Sequence, residues 1–191
     1  MGKKSRRDHY FPEHTVSQGQ PYWYQNGGHS QSGARAGARI LGGPLAPGIN
    51  GVVHFTQVPG GTWVCANING LPPYQPAADN RPPIGPHGFH IHESGRCEVG
   101  DPTNPFQSTG GHWNPTFQPH GNHAGDFPVL YSYGGRATMC FFTDRFKPQD
   151  VIGRSVVIHE NPDDYRTQPA GASGKRLACG VIQAAWGEAF S

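Results

Sequence analysis

Residues 88–93 read Gly-Phe-His-Ile-His-Glu, and the alternation of apolar and imidazole side chains predicts a β-strand. Successive side chains of a strand point to opposite faces, so His90 and His92 share one face, while Phe89 and Ile91 occupy the other. The predicted strand therefore offers two imidazoles to a site on one side and two apolar side chains to a core on the other.

Similar short runs, separated by Gly and Pro, continue along the chain on both sides of this stretch. The predicted strands are Ala36–Leu41, Gly51–Val58, Thr62–Ile68, Gly88–His92, Ala137–Thr143, Ser155–His159 and Leu177–Ile182. Seven or more short strands indicate an all-β sandwich or barrel. Two long irregular stretches, 93–133 and 160–175, exceed ordinary loop lengths and are expected to carry function.

The composition fits one packed, turn-rich domain with an N-terminal arm. The 191 residues include 28 Gly and 19 Pro, but also 10 Phe, 7 Tyr and 4 Trp, and only 15% are charged, which excludes a largely disordered chain. Residues 1–34 are polar and basic around Tyr22-Trp23-Tyr24, and they show neither helical nor strand periodicity. We expect them to form an arm that is either flexible or docked on the domain or a partner, and residues 35–191 to form the domain.

From charge and hydropathy, we expect neither nucleic acid nor a membrane as a partner. Residues 1–39 contain six Lys/Arg and two Asp/Glu, a balance of +4, so the remainder carries −2 of the net +2 and nucleic acid is not expected as a partner. No run of about 18 apolar residues occurs, and Met1–Tyr10 has no apolar stretch behind its basic start. We expect neither a membrane span nor a secretory signal, which favours the cytoplasm, with cell-surface or spore-coat association as the alternative.

Further metal-ligand side chains follow the first two histidines. His112 stands behind two glycines, His120, His123 and Asp126 lie within seven residues, and His159 ends a hydrophobic run. Six histidines and one aspartate form a borderline-soft donor set that suits zinc or copper. Seven donors are one short of two four-coordinate metals, so one imidazole would bind a metal through each nitrogen, and His112, between the two groups, is the candidate.

Five motifs together resemble the copper/zinc superoxide dismutases over roughly residues 36–183, with a long insertion between Cys97 and His112 that resembles the bacterial branch. The motifs are GFHIHE, GGHWNP, HGNHAGDFP, VIGRSVVIHENPDDY and GKRLACGVI, in the order and approximate spacing of that family. The resemblance implies a Greek-key β-sandwich or flattened barrel of about eight antiparallel strands with two long functional loops.

The resemblance also implies roles for individual residues. It assigns copper to His90, His92, His112 and His159, zinc to His112, His120, His123 and Asp126, a bond from Asp163 to His90 and His120, catalysis to Arg176 and His112, and a disulfide to Cys97 and Cys179. Cys65 and Cys140 have no role in the family pattern, and we expect two free, mostly buried thiols.

The activity that the resemblance implies is conversion of superoxide to dioxygen and hydrogen peroxide by a homodimer. Two alternatives use the same scaffold. The first is a metal-binding structural or coat component without turnover. The second is a copper chaperone, but the paired cysteines of the added metal-transfer module are missing from residues 1–34.

Overall fold

The computed structural model describes residues 33–184, and each of the seven predicted runs forms a β-strand. The strands are β1 Arg35–Gly42, β2 Asn50–Val58, β3 Gly61–Asn69, β4 Phe89–His92, β5 Ala137–Thr143, β6 Ser155–His159 and β7 Arg176–Ala184. The predicted all-β fold is confirmed. The predicted arm lies outside the described residues, apart from residues 33 and 34.

The seven strands form one curled antiparallel sheet in the order β4-β6-β7-β1-β2-β3-β5. Alternate side chains of the strands turn inward, and Ile40, Phe55, Val64, Phe89 and Ile158 have no exposed surface within one hydrophobic cluster. Strand β4 lies beside β6. The two histidines of β4 project from the face opposite the core, near the end of β6.

The described residues form seven strands and not the eight that the resemblance implies, and an irregular segment lies beside β4. Leu130 and His87 exchange backbone hydrogen bonds of 2.8 and 3.0 Å, and the Phe127 N–H donates to the Phe89 carbonyl over 3.3 Å. Between them, Pro128 has no N–H to donate to a ladder. The segment therefore covers the core beside β4 without forming a regular strand.

Two long loops lie where the sequence predicts them. The loop of residues 93–136 joins β4 to β5, and the loop of residues 160–175 joins β6 to β7. The described helices are short 3-10 turns, Gln107–Thr109 and Pro148–Val151. Within residues 33–184, no helix is long and apolar enough to cross a membrane.

Both pairs of cysteines form disulfides. Cys97 is joined to Cys179, which ties the first long loop to β7. Cys65 is joined to Cys140, so the prediction of two free, buried thiols is wrong. These two residues are direct partners in the β3–β5 register, on the outward face of the sheet, where Cys140 is exposed and Cys65 is half-buried.

Candidate metal centre

Four buried histidines form a first donor group where β4 meets β6. His90 and His92 lie on β4, His159 ends β6, and His112 comes from the first long loop. One nitrogen of each of the four lies within 4.8 Å of the others. The His92 and His159 Nε2 atoms are 3.2 Å apart. The alternation of β4 thus places its two imidazoles in one group.

The other nitrogen of each strand histidine has a fixed partner. His90 Nε2 lies 2.7 Å from Asp163 Oδ2, His92 Nδ1 lies 3.0 Å from the Gly110 carbonyl, and His159 Nδ1 lies 3.4 Å from the Gly174 carbonyl. A ring nitrogen that donates to such an acceptor leaves the second nitrogen unprotonated for a metal. These contacts orient His90 Nδ1, His92 Nε2 and His159 Nε2 as the free donors.

A second donor group, made of His112, His120, His123 and Asp126, adjoins the first. Asp126 Oδ1 lies 3.0 Å from His112 Nδ1 and 3.3 Å from His123 Nδ1, and Oδ2 lies 3.2 Å from His120 Nδ1. The backbone N–H groups of Gly121 and His123 also donate to Oδ2, over 2.8 and 3.1 Å. The local turn therefore fixes the carboxylate at the centre of three imidazoles.

His112 is a member of both donor groups. Its Nδ1 faces Asp126, while its Nε2 is buried on the side of the first group. The ring stacks on His90 with centroids 3.9 Å apart. One imidazole can therefore present a nitrogen to each of two metals.

The Asp163 carboxylate also connects the two groups. It lies 2.7 Å from His90 Nε2 and 2.8 Å from His120 Nε2, and all three side chains are fully buried. A Cβ at Gly171 would overlap both Asp163 Oδ1 and His120 Nε2, and this residue has a φ of +68°. Glycine is required there because it allows the second long loop to close over the carboxylate.

The donor set fits metal ions, as the unpaired buried atoms show. His90 Nδ1 and His112 Nε2 are buried without hydrogen-bond partners, and His120 Nδ1 and His123 Nδ1, although 3.2 and 3.3 Å from the Asp126 carboxylate, make no hydrogen bond to it. Burial without a partner is costly for a polar atom, and metal coordination removes that cost. Burial, followed by the neighbouring imidazoles, lowers the pKa values of His90 and His92, and that of His159 to about 3. These histidines are therefore neutral at pH 7, the form that a metal ion binds.

Arg176 lies beside the first group and lines a cavity of about 450 Å³ together with His92, His112 and His159. Its Nη1 donates to the Phe106 carbonyl over 2.7 Å, and its Nη2 donates to the Gly110 carbonyl over 2.9 Å. Burial lowers the pKa of Arg176 from its ordinary value, but a guanidinium still carries its charge at neutral pH. The cavity thus offers an anion a fixed positive group next to three imidazoles.

Some supporting groups were not predicted from the sequence. The Gly110 carbonyl accepts from both His92 and Arg176, and the buried Thr109 hydroxyl lies against the same two side chains. The glycine pair before His112 indicates a close backbone approach, but sequence does not reveal which carbonyl accepts which hydrogen bond.

The antiparallel β-fold carries two adjoining histidine-rich donor groups that share one imidazole, an arrangement able to hold two neighbouring metal ions. The family described as copper/zinc superoxide dismutase (SODC) matches residues 49–182. The chain belongs to this family.

Similar proteins come from several bacteria. The chain is 39% identical over 153 residues to the superoxide dismutase [Cu-Zn] of Deinococcus radiodurans, covering 71% of this chain and 78% of that protein. It is 36% identical over 141 residues to that of Legionella pneumophila, covering 70% and 77%. The solved Cu/Zn superoxide dismutase from Brucella abortus has a TM-score of 0.62 at 28% identity, covering 78% of this chain and 99% of that chain.

Proposed function

We propose that the protein is a superoxide dismutase that converts superoxide to dioxygen and hydrogen peroxide. The observation that carries this proposal is the complete donor set, in which two four-residue groups share His112 and the first group opens on the cavity beside Arg176. Membership of the copper/zinc family and the names of the relatives support the same activity.

Copper is assigned to the first group and zinc to the second. Four imidazoles next to a cavity suit a copper ion that an anion can reach, whereas three imidazoles and the buried Asp126 carboxylate suit a closed, structural zinc site. When bound, copper supplies the alternation between Cu(II) and Cu(I) that oxidises one superoxide and reduces the next. The two sites differ in access as well as in chemistry.

Arg176 would bind the superoxide anion, and His112 would transfer a proton. The Arg176 guanidinium draws the superoxide anion into the cavity and holds it beside His92 and His159. His112 Nε2 faces the first group while Nδ1 faces Asp126, so Nε2 is the atom at which a proton can be held for the departing peroxide.

A comparison of two charge reversals tests this function in protein reconstituted with both metals. Arg176→Glu should lower the second-order rate of dismutation by about 10-fold or more and weaken its fall with rising salt, because it reverses the charge inside the cavity. Lys175→Glu, the matched control, makes the same charge change at the exposed neighbour. Metal contents should be unchanged in both variants.

Two outcomes of this experiment would contradict the proposal. Wild-type protein that holds both metals without dismutating superoxide would favour the metal-binding structural or coat component. Equal effects of the two reversals would assign steering to the net charge of the chain instead of Arg176.

A homodimer, and docking of residues 1–34, are also proposed. Tyr74, Tyr131 and Tyr133 are largely exposed, and aromatic side chains are enriched in protein interfaces. Light scattering after size-exclusion chromatography, on the full chain and on a chain without residues 1–34, would distinguish a dimer from a monomer and show whether the arm contributes.

A further inference from the structure

We propose that the hydroxyl of Thr109 is a positioning group that fixes the Arg176 guanidinium relative to the His92 ring. The proposal rests on the proposed function, because it concerns how the anion-binding arginine is aimed. Thr109 has no exposed surface and does not line the cavity, so it would act through Arg176 and not on substrate.

The Thr109 hydroxyl contacts three groups of the network. Oγ1 donates to the Phe106 carbonyl over 2.8 Å, accepts from Arg176 Nη1 over 2.9 Å, and lies 3.3 Å from His92 Nδ1. A hydroxyl has one donor and two acceptor positions. Phe106 and Arg176 thus occupy the donor position and one acceptor position, and the second acceptor position faces His92 Nδ1, whose single proton is shared with the Gly110 carbonyl.

Arg176 and His92 consequently share two acceptors. The Gly110 carbonyl accepts from Arg176 Nη2 over 2.9 Å and from His92 Nδ1 over 3.0 Å, and Thr109 Oγ1 is the other common partner. Two shared acceptors fix both the position and the plane of the guanidinium. The orientation of the Arg176 side chain in the cavity is thus coupled to that of the His92 ring, whose Nε2 belongs to the first donor group.

The hydroxyl is the part of this network that a substitution can remove selectively. The Phe106 and Gly110 acceptors are backbone carbonyls, whereas Thr109 supplies the one side-chain acceptor for Arg176 within residues 33–184. The turn has other supports, because Phe106 packs against Val157 and the disulfide of Cys179. Loss of the hydroxyl should therefore release the guanidinium without unfolding the turn.

The first test uses metal-free protein, so that it does not depend on activity. Thr109→Val keeps the shape and removes the hydroxyl, Thr109→Ser keeps the hydroxyl, and Thr109→Ala serves if valine does not fold. In ¹H–¹⁵N spectra, the Arg176 Nη protons should be resolved and slow to exchange in wild type and Thr109→Ser, and averaged in Thr109→Val. Ser108→Ala, whose hydroxyl donates to the Arg96 carbonyl instead, should match wild type.

The second test measures anion binding in copper- and zinc-loaded protein by optical titration with azide. Thr109→Val should weaken azide binding roughly 2- to 10-fold, the size expected for one hydrogen bond, with metal contents unchanged. Arg176 signals that stay resolved in Thr109→Val, or a serine variant that behaves like valine, would overturn the proposal. Loaded wild type without dismutation would instead overturn the proposed function, and the guanidinium spectra would still decide the role of Thr109.

Discussion

The two donor groups differ in what holds them. Three of the four side chains in the first group stand on β4 and β6, in the most buried part of the sheet, and only His112 comes from a loop. All four members of the second group lie between residues 112 and 126 of one loop. The sheet therefore orients most of the first group before any metal binds, whereas the second group depends on its loop staying closed.

This difference predicts a division of labour, in which the first group holds copper, the second group holds zinc, and two residues link the groups. His112 belongs to both groups, and Asp163 bonds one histidine from each. Buried contacts of this kind orient ligand rings and fix their tautomers. Changes away from His112 and Asp163 should affect one group at a time, and changes at either should affect both.

Removing one unshared ligand from each group should have the largest effect and would test the division directly. His159→Ala should lose copper and lower dismutation about 100-fold or more, because a ligand is worth at least as much as its outer partners. His123→Ala should lose zinc, unfold at lower temperature, and keep most of its activity per bound copper. Metal analysis, thermal melts and the dismutation rate measure the three quantities.

His54→Ala is a suitable control, since His54 is exposed on β2 away from both groups. The division of labour would be wrong if His123→Ala lost copper and activity as completely as His159→Ala.

Asp163 should give the next largest effect, and the effect should reach both metals. Asp163→Asn replaces a carboxylate that accepts from His90 and His120 with an amide that can accept at only one atom. Such partners are worth about 10- to 100-fold in metal affinity, so both copper and zinc should bind more weakly. Competition with chelators measures each affinity.

Asp164→Asn provides the matched control for this change. The Asp164 carboxylate is exposed and bonded to Thr167, outside the donor groups. Weakening of only one metal by Asp163→Asn would show that the carboxylate does not couple the groups.

The strands and most of the candidate metal ligands can be predicted from the sequence, because both depend on local patterns of residues. Short apolar or alternating runs between turn residues specify where each strand lies, and for the apolar run Ser155–His159 the predicted bounds and those of β6 are identical. Ligand types at short spacing, such as His120, His123 and Asp126, also appear directly in the sequence. The alternation of residues 89–92 likewise predicts that His90 and His92 share one face of a strand.

Contacts that depend on register or on backbone carbonyls are not visible in the same way. Cys65 and Cys140 are 75 residues apart, and only the β3–β5 register makes them partners. The Thr109 network depends on carbonyls whose direction is set by a turn in which Phe106 has a positive φ. A local sequence pattern specifies neither the register of distant strands nor the direction of backbone carbonyls. The Cys65–Cys140 disulfide and the Thr109 network therefore become visible only in the structure.

The two disulfides should have equal effects on stability and unequal effects on activity. They close loops of 82 and 75 residues, each worth about 4.5 kcal/mol at most on the chain-entropy model. Replacing Cys97 and Cys179 together by serine should also lower the dismutation rate, because Phe106, which holds Arg176, packs against that disulfide. Replacing Cys65 and Cys140 should not, because they lie on the outward face. Denaturant unfolding and rate measurements on the two double variants separate the effects, and an equal loss of activity would place both disulfides in the site.

The smallest effect concerns how the two groups respond to acid in metal-free protein. Burial lowers the pKa values of His90, His92 and His159, the last to about 3, whereas an unfolded histidine titrates near 6.5. In the second group, burial also lowers the pKa of His123, but the Asp126 carboxylate opposes that shift. The loss of folding free energy on acidification should therefore come mainly from the histidines of the first group.

The sign of the pH effect follows from proton binding. Between about pH 6.5 and pH 3 the unfolded chain binds protons that the folded first group excludes, so the contribution of these histidines to the free energy of unfolding falls as pH falls and is constant above about pH 7. Thermal melts of metal-free protein from pH 7.5 to pH 5 should show a falling midpoint, with a shallower slope in His159→Ala, which has one such histidine fewer. Protein loaded with both metals should change less, because a metal keeps its ligands unprotonated until it leaves. A His123→Ala slope shallower than that of His159→Ala would reverse the comparison and assign the acid sensitivity to the loop group.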